Sequence, residues 1–406
     1  MVLSAQSRGS FGHCGKRKNL TVKNFTFTEG EIEDVSMIVS KARGVPAVGD
    51  RAAFTDEKVR LDVGGADAQP GGSKEAPAGE ATPALGDNGT ARDMPLISIL
   101  MAVYEPRMDW LEQQLDSLNA QTYPNLRLYV RDDSSPTVPF EAIQALVRQR
   151  ITAFPFTIDR NEQNLGSTKT FERLTAEGEG DYFAYCDQDD VWLPEKLSVS
   201  IKQIGSAGLL CGDMLLIDAA GKTIGRSITE LYPRLKFLAG AGLSDCLVYR
   251  NFVIGCTMLM RSDIAKAAIP FAHSMVHDHY LAWYCALEHD IAVADRPLLL
   301  YRRHGACQTG ILTGIVTKQD YLDRHLGGFL TRVSELSERA GGEALKQAAQ
   351  WAQARCDNAL RKKGAVRRLW SLRRVNRATT MFEIIGLRLP EGLFRLAIKM
   401  IRSGRI

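Results

Sequence analysis

This 406-residue chain predicts an α/β domain built on a mostly parallel sheet, followed by a helical extension. Three observations carry that expectation. Short apolar runs of strand length alternate with segments of helical periodicity between residues 96 and 186. Several of these runs end in polar or acidic residues, the edge at which parallel sheets of this kind bind their ligands. Beyond Thr313 the apolar positions recur only at helix spacing.

Taken in order, Leu96 to Val103 (LISILMAV) is a continuous apolar strand, and Leu111, Leu115 and Leu118 after it share one helical face. A second strand, Leu126 to Val130, runs into Arg131, Asp132, Asp133, Ser134 and Ser135; a helix with Phe140, Ile143, Leu146 and Val147 in register follows. The third strand lies near Phe156 to Ile158 and leads through Asn161, Asn164 and Gly166 into a helix carrying Phe171 and Leu174. The fourth, Tyr182 to Cys186, is rich in aromatic residues and ends in Asp187, Gln188, Asp189 and Asp190. Strands linked by helices in this way form parallel pairs with right-handed crossovers.

Composition bounds the possibilities. A chain with 45% hydrophobic and 24% charged residues is globular, and its length allows two or three domains. The net charge of +4 is too small to argue for a nucleic-acid partner. Eight cysteines without a CxxC pair, among them Cys186 and Cys211 inside apolar runs, read as free thiols of a reducing cytoplasm. No stretch of 18 apolar residues and no signal-peptide core is visible, so the expected location is cytoplasmic, or peripheral at the inner membrane face. Residues 1–93 read as a poorly ordered extension: a few strand-like positions, including Val22 and Phe25, precede a stretch from Ala47 to Arg92 rich in Gly, Ala, Pro and acids. Met94, directly before the first strand, is an alternative start of translation.

The chemistry concentrates at Asp181 to Trp192 (DYFAYCDQDDVW). Carboxylates crowded at the end of a buried strand repel one another and lose hydration, which a divalent cation between them relieves. Asp187 and Asp189, two residues apart, suit Mg²⁺ or Mn²⁺ with positions left for phosphate oxygens. Taken alone, the same residues would also fit a solvated acidic turn.

The order of ISILMAVYEP, VRDDSSP, NEQNLGSTKTF, DYFAYCDQDDVWLPEK, NFVIGCTMLMR, HDHYLAW and YRRHG resembles a family 2 glycosyltransferase of the GT-A, nucleotide-diphospho-sugar transferase fold. Within that family it resembles the bacterial rhamnosyltransferase-like branch with a DQDD(I/V)W signature. The likeness spans about residues 95 to 312 and implies a transferase domain over 94–312, with a helical basic region over 313–406.

The resemblance also implies roles. Ala102, Tyr104 and Glu105 would line the nucleotide pocket, and Asp132 would accept a hydrogen bond from a pyrimidine, pointing to a UDP- or dTDP-linked donor. Asp132 would serve equally as a turn residue capping Ser134 and Ser135. Asn164, Gly166 and Lys169 would pass close to the nucleotide, and Asp190 would meet the sugar or a helix N-terminus. Asp187, Asp189 and His304 would hold the metal against the diphosphate, with Arg302 or Arg303 neutralising phosphate from a loop. Asp278 would be the general base of an inverting transfer, or a helix cap; Gly255, Cys256 and His277 would form the acceptor side. Cys307 stands where related sequences often carry asparagine. A QxxRW pattern is absent, which points to transfer of a single sugar to a glycan or lipid-linked acceptor.

Between Arg361 and Arg377 stand eight Lys or Arg residues and no acid, interleaved with Val366, Leu369, Trp370 and Leu372, and Leu393 to Ile401 is again basic and amphipathic. Such a segment over 361–406 suits an anionic membrane surface, or a solvated helical hairpin, or a contact between copies. Two functional readings remain open: an active single-sugar transferase, and a catalytically idle scaffold of the same fold in glycan assembly. A nucleotidyltransferase is disfavoured, because ILMAVYEPR has no Gly-rich phosphate loop.

Overall fold

The computed structural model describes residues 94–233, 235–303, 312 and 314–402, together with a two-residue strand pair, Thr21–Val22 with Phe25–Thr26. The expectations for the rest of residues 1–93, for His304 and for Cys307 lie outside the described residues.

A seven-stranded sheet organises the chain. Strand β1 (Ile97–Val103) is followed by helix α1 (Met108–Asn119), β2 (Leu126–Asp132) by α2 (Phe140–Arg150), and β3 (Phe156–Arg160) by α3 (Ser167–Glu177). Then come β4 (Tyr182–Cys186), the short β5 (Val191–Trp192) and α4 (Lys196–Ile204). β1 pairs in parallel with both β2 and β4, and β2 with β3, as the strand-helix alternation demands. Beyond β4 the sheet continues through β9 (Leu259–Arg261), β6 (Leu209–Cys211) and β10 (Ile291–Val293), giving the order β10-β6-β9-β4-β1-β2-β3. β9 alone runs antiparallel to its neighbours. Its direction has a consequence for the site: the residues that precede it, not those that follow, reach the edge where β4 ends.

The period-2 pattern divides β1 between two cores. Ile97, Ile99, Met101 and Val103 face one side and pack with Leu128, Val130, Leu111, Leu115 and Leu197; Leu100 faces the other, with Tyr129, Phe171, Phe183 and Tyr185. A parallel strand buried on both faces needs a continuous apolar run, and LISILMAV is one.

A smaller four-stranded sheet, β8 (Thr223–Ser227), β7 (Leu215–Ile217), β11 (Leu299–Arg302) and β5, crosses the end of the first. Through it Trp192 pairs with Leu299 and Val191 with Leu300, so the acidic loop is locked between two strands within two residues of its end. Trp192 is buried, in keeping with a packing role.

From Lys318 the chain is helical. A continuous helix, Lys318–Asp320 through a π segment Tyr321–Gly327 into Gly328–Arg339, is followed by helices Glu343–Ala359, Ala365–Ser371, Arg377–Gly386 and Glu391–Arg402. Leu336, Trp351 and Leu369 join the same core as Phe183 and Tyr280, so the extension packs against one face of the sheet. No helix among the described residues is long and apolar enough to cross a membrane.

Candidate functional site

Three parallel strands end side by side at one edge: β2 at Asp132, β1 at Val103 and β4 at Cys186. Neighbouring strands lie about 5 Å apart, so the end of β2 and the end of β4 are separated by about 10 Å, a span suited to a nucleotide. Strain gathers here. Glu105 and Ser134, just past β1 and β2, adopt positive φ of 44° and 61°, a conformation that non-glycine residues sustain only when surrounding bonds hold them. Those bonds are present: the Glu105 N–H donates to Ser135 Oγ at 2.8 Å, and the Glu105 carboxylate accepts from Thr137 N–H at 2.8 Å and Val138 N–H at 3.3 Å. The Thr137 contacts hold the Glu105 carboxyl below its ordinary range. Glu105 therefore braces two loops, and beside it Ala102 is half-buried and Tyr104 exposed at the end of β1.

Asp132 is fully buried, accepts from the Ser135 hydroxyl at 2.6 Å and pairs with Arg160 Nε at 3.1 Å. Ser135 N–H also approaches both oxygens, at 3.2 and 3.3 Å, so the turn-capping role is the one these contacts give the carboxylate. Its neighbour Asp133, to which the sequence reading gave no role, is the anchor of the next loop: its two oxygens accept from Leu165 N–H, Gly166 N–H and Asn161 Nδ2, each at 2.8 Å. Gly166, at φ 80° and at the start of α3, is a position where a side chain would be strained. Asn164 and Lys169 are exposed nearby. Asp133 was legible only as the second acid of VRDD, and nothing in that pattern says which acid turns toward the loop.

The acidic loop is held from several sides. Gln188 hydrogen-bonds both ways with the Tyr104 backbone, accepting its N–H at 2.8 Å and donating to its carbonyl at 3.0 Å. Arg302 lies beneath. Fully buried, it donates from Nε to the Asp189 carbonyl at 2.8 Å, from Nη2 to Gln113 at 2.8 Å and from its backbone N–H to Asp190 Oδ1 at 3.1 Å. This corrects the expectation that Arg302 meets phosphate: the guanidinium is committed to the loop's underside, because β11 lies between β5 and β7 and pairs Arg302 with Ile217 of β7. Arg303 is exposed.

The ligand atoms of Asp187, Asp190 and Cys256 all lie within 4.8 Å of one another. Asp189, expected as a metal ligand beside Asp187, stands outside this trio. Burial, with Asp189 and Asp278 nearby, pushes the Asp187 carboxyl up to about 7. Asp190 is fully buried and its carboxyl is raised well above the ordinary range by burial and by Asp187 and Asp189; its Oδ1 accepts the Arg302 N–H, and the Cys256 thiol hydrogen-bonds to the same carboxyl. Buried carboxyls crowded in this way fit a cation held between Asp187 and Asp190. Cys256, expected on the acceptor wall, arrives at the acidic pair because the 3₁₀ turn Gly255–Thr257 precedes the antiparallel β9.

Asp278 stands in the first turn of helix His277–Cys285. Its carboxylate accepts from Gly255 N–H at 3.0 Å and Asn251 Nδ2 at 3.1 Å, and burial pushes it up to about 6 despite these donors. A Cβ added at Gly255 would come within 2.8 Å of His277 Nε2, so only glycine allows this close approach. His277 is buried with its ring 4.0 Å from that of Phe171, and burial drives its pKa down to about 3. It is a neutral ring in the wall of the site. His279 turns away, bonding Leu247 carbonyl oxygen at 2.6 Å.

Residues 98–267 match the family model described as Glycosyl transferase family 2. The GT-A fold expected from the motifs is the one observed: a mostly parallel sheet with helices on both faces and the acidic loop at its carboxyl edge. Among curated relatives, an uncharacterised glycosyltransferase of Rickettsia typhi is 24% identical over 221 residues, 53% of this chain and 66% of that protein. The chain thus spans somewhat less than two thirds of that relative's length. The Escherichia coli UDP-Glc:alpha-D-GlcNAc-diphosphoundecaprenol beta-1,3-glucosyltransferase WfgD is 26% identical over 191 residues, 46% of this chain and 68% of that one. Of solved structures, S. aureus TarS residues 1–349 with UDP-GlcNAc aligns at a TM-score of 0.49 and 16% identity, over 76% of this chain and 92% of that one.

Proposed function

We propose that this chain, which carries a glycosyl transferase family 2 domain over residues 98–267, moves a single sugar from a nucleoside-diphosphate donor to a lipid-linked or growing glycan acceptor with inversion at the anomeric carbon. The observation that supports it best is the convergence on one sheet edge of Asp187, Asp190 and Asp278, three carboxyls all raised by burial and, for Asp187 and Asp190, by neighbouring acids as well. Perturbed acids gathered at a ligand-binding edge are the mark of a reactive site. A scaffold gains nothing from that electrostatic cost.

The chain's own residues divide the work. Buried Asp132, at the end of β2, offers its carboxylate to the base of a UDP or dTDP donor, in exchange for part of its bond to Arg160. The loop pinned by Asp133 brings the backbone of Leu165 and Gly166 against the nucleotide. Asp187 and Asp190, with Asp189 beside them, would hold Mg²⁺ or Mn²⁺, and the ion would supply Lewis-acid stabilisation of the departing diphosphate. Asp278 takes the proton of the acceptor hydroxyl as that oxygen attacks the anomeric carbon and the bond to the diphosphate breaks. Neutral His277 and Gly255 shape the wall on the acceptor side.

The test is turnover of UDP-glucose, UDP-galactose, UDP-GlcNAc, GDP-mannose and dTDP-rhamnose by purified protein, with and without Mn²⁺. Metal-dependent release of one nucleoside diphosphate is expected, and rhamnose from the dTDP donor is the specific case the DQDDVW motif favours. Absence of nucleotide binding under all conditions would leave the scaffold reading instead. The WfgD relative is named for a diphosphoundecaprenol-linked acceptor. A lipid-linked acceptor here accords with exposed Val366, Trp370, Met381, Ile385, Leu393 and Leu396 among the basic residues of 361–402.

A further inference from the structure

We propose that a cleft at the carboxyl edge, lined by Asp213, Leu235, Lys236, Phe237, Asp295 and Arg296, is a saccharide subsite that takes a neutral sugar chain of the acceptor. The inference rests on the transferase reading and deepens it, giving the acceptor a chemical class and a seat. The cleft has a volume of about 570 Å³. That lies inside the range of roughly 300–1,000 Å³ found for small-ligand sites, and it suffices for a short oligosaccharide.

Topology places it. β6 and β10 pair in parallel, and both run in the direction of β4, because β9 is antiparallel to β4 and to β6. Asp213 follows the end of β6, and Ala294 to Arg296 follow the end of β10, so the cleft stands on the same edge as Asp187 and Asp190. At about 5 Å per strand, β6 lies about 10 Å and β10 about 15 Å from β4, on the side away from β1 and β2. Along the edge the order is then the nucleotide end at β2 and β1, the acidic loop at β4, Gly255 with Asp278 at the turn before β9, and the cleft beyond. In an inverting transfer the acceptor approaches opposite the departing group, which is this side. Turn and cleft are joined: Thr257 Oγ1 accepts Gly212 N–H at 3.3 Å, directly before Asp213.

Chemistry selects the ligand. A pyranose ring has an apolar C–H face and a rim of hydroxyls, so its site needs both an apolar wall and hydrogen-bonding groups. Phe237 and Leu235 supply the wall; two carboxylates accept from hydroxyls, and Lys236 and Arg296 donate to them. Two acids against two cations leave the described part of the lining without net charge, so a charged ligand gains no net attraction there. The frame is held by protein bonds. Asp213 Oδ1 accepts Met214 N–H at 2.8 Å, Thr229 Oγ1 donates to its Oδ2, and Asp295 N–H donates to Gln203 Oε1 at 3.0 Å. On the other wall Gly240 and Ile291 exchange backbone bonds at 2.8 and 3.1 Å, which lays the segment carrying Phe237 alongside β10. Lys236, Asp295 and Arg296 are exposed around this frame.

Saturation-transfer NMR on the full-length protein, without metal or nucleotide, tests this with cellobiose, diacetylchitobiose, lactose and digalacturonate as probes. At least one neutral disaccharide should bind, and more tightly than the charged digalacturonate. Phe237→Ala should weaken that binding about 10-fold, the worth of one stacked ring. Asp295→Ala, at an exposed position where folding is not at stake, should weaken it about 3- to 10-fold. Metal-dependent release of nucleoside diphosphate without acceptor should be the same in both variants and the parent. Binding of no neutral disaccharide, preference for digalacturonate, or an affinity unchanged in Asp295→Ala each overturns the inference. Disaccharide binding by a protein that turns over no nucleotide sugar would keep the cleft and sink the transferase reading; turnover without disaccharide binding would do the reverse.

Discussion

Asp278 is not the helix cap, a position Val276 takes; it stands inside the first turn, and its carboxyl is held by burial near 6 while three donors keep it oriented. A general base must be ionised to act, so kcat/KM should rise with pH along a limb centred at about 6 or below, a bound cation only lowering it, and level off above. Asp278→Asn should lose that limb and about 10²- to 10⁴-fold in turnover while donor binding persists, which a pH–rate profile beside nucleotide titration checks. If the variant instead keeps its turnover, the base lies elsewhere. Arg302 teaches the opposite lesson. An arginine at the end of a strand in the YRRHG run invites a phosphate role, yet its buried guanidinium spends its donors on the Asp189 carbonyl and Gln113.

At the scale of elements, the acidic loop is fixed because β5 and β11 pair within two residues of its end and Gln188 clasps the end of β1. The helical extension is fixed by a different device. Arg355 and Glu383 form a pair at 2.7 Å, 1% and 0% exposed, with the Tyr321 hydroxyl donating to Glu383 at 2.9 Å and the guanidinium stacked over Trp351. Removing one partner strands the other's charge in an apolar interior. Arg355→Leu should therefore cost about 3–5 kcal/mol in urea unfolding, and Arg355→Met combined with Glu383→Leu should recover most of that loss. An Arg355→Leu protein as stable as the parent would show that the pair is solvated.

Over the whole molecule, charge is divided unevenly. The chain carries a net charge of only +4, although its last helices are crowded with Lys and Arg. On Glu391–Arg402, Leu393 and Leu396 are 52% and 53% exposed while Phe394 and Ile398 are buried, so that helix presents a second apolar stripe away from the core, bordered by Arg395 and Lys399. A surface of this kind favours anionic lipid. The protein should float with vesicles containing phosphatidylglycerol and not with phosphatidylcholine alone, and Leu393→Asp with Leu396→Asp should abolish flotation. Flotation unaffected by the pair of substitutions would point away from this helix.

Periodicity and composition by themselves determined the four βα-type strands, their parallel order and the carboxyl edge that carries Asp132 and the DQDD loop, because local hydrophobic pattern dictates which face is buried and short crossovers dictate direction. The C-terminal helices were legible for the same reason. What only the tertiary structure decided depends on contacts between residues far apart in the chain. The antiparallel course of Leu259–Arg261 turns Cys256 toward Asp187 and Asp190, and the place of β11 between β5 and β7 buries Arg302. Strand direction and long-range pairing leave no periodic signature, since an apolar triplet reads alike in either sense. Which of Asp132 and Asp133 turns to the loop, and which acid of DQDD is drawn under Arg302 and Cys256, are settled by the packing around them.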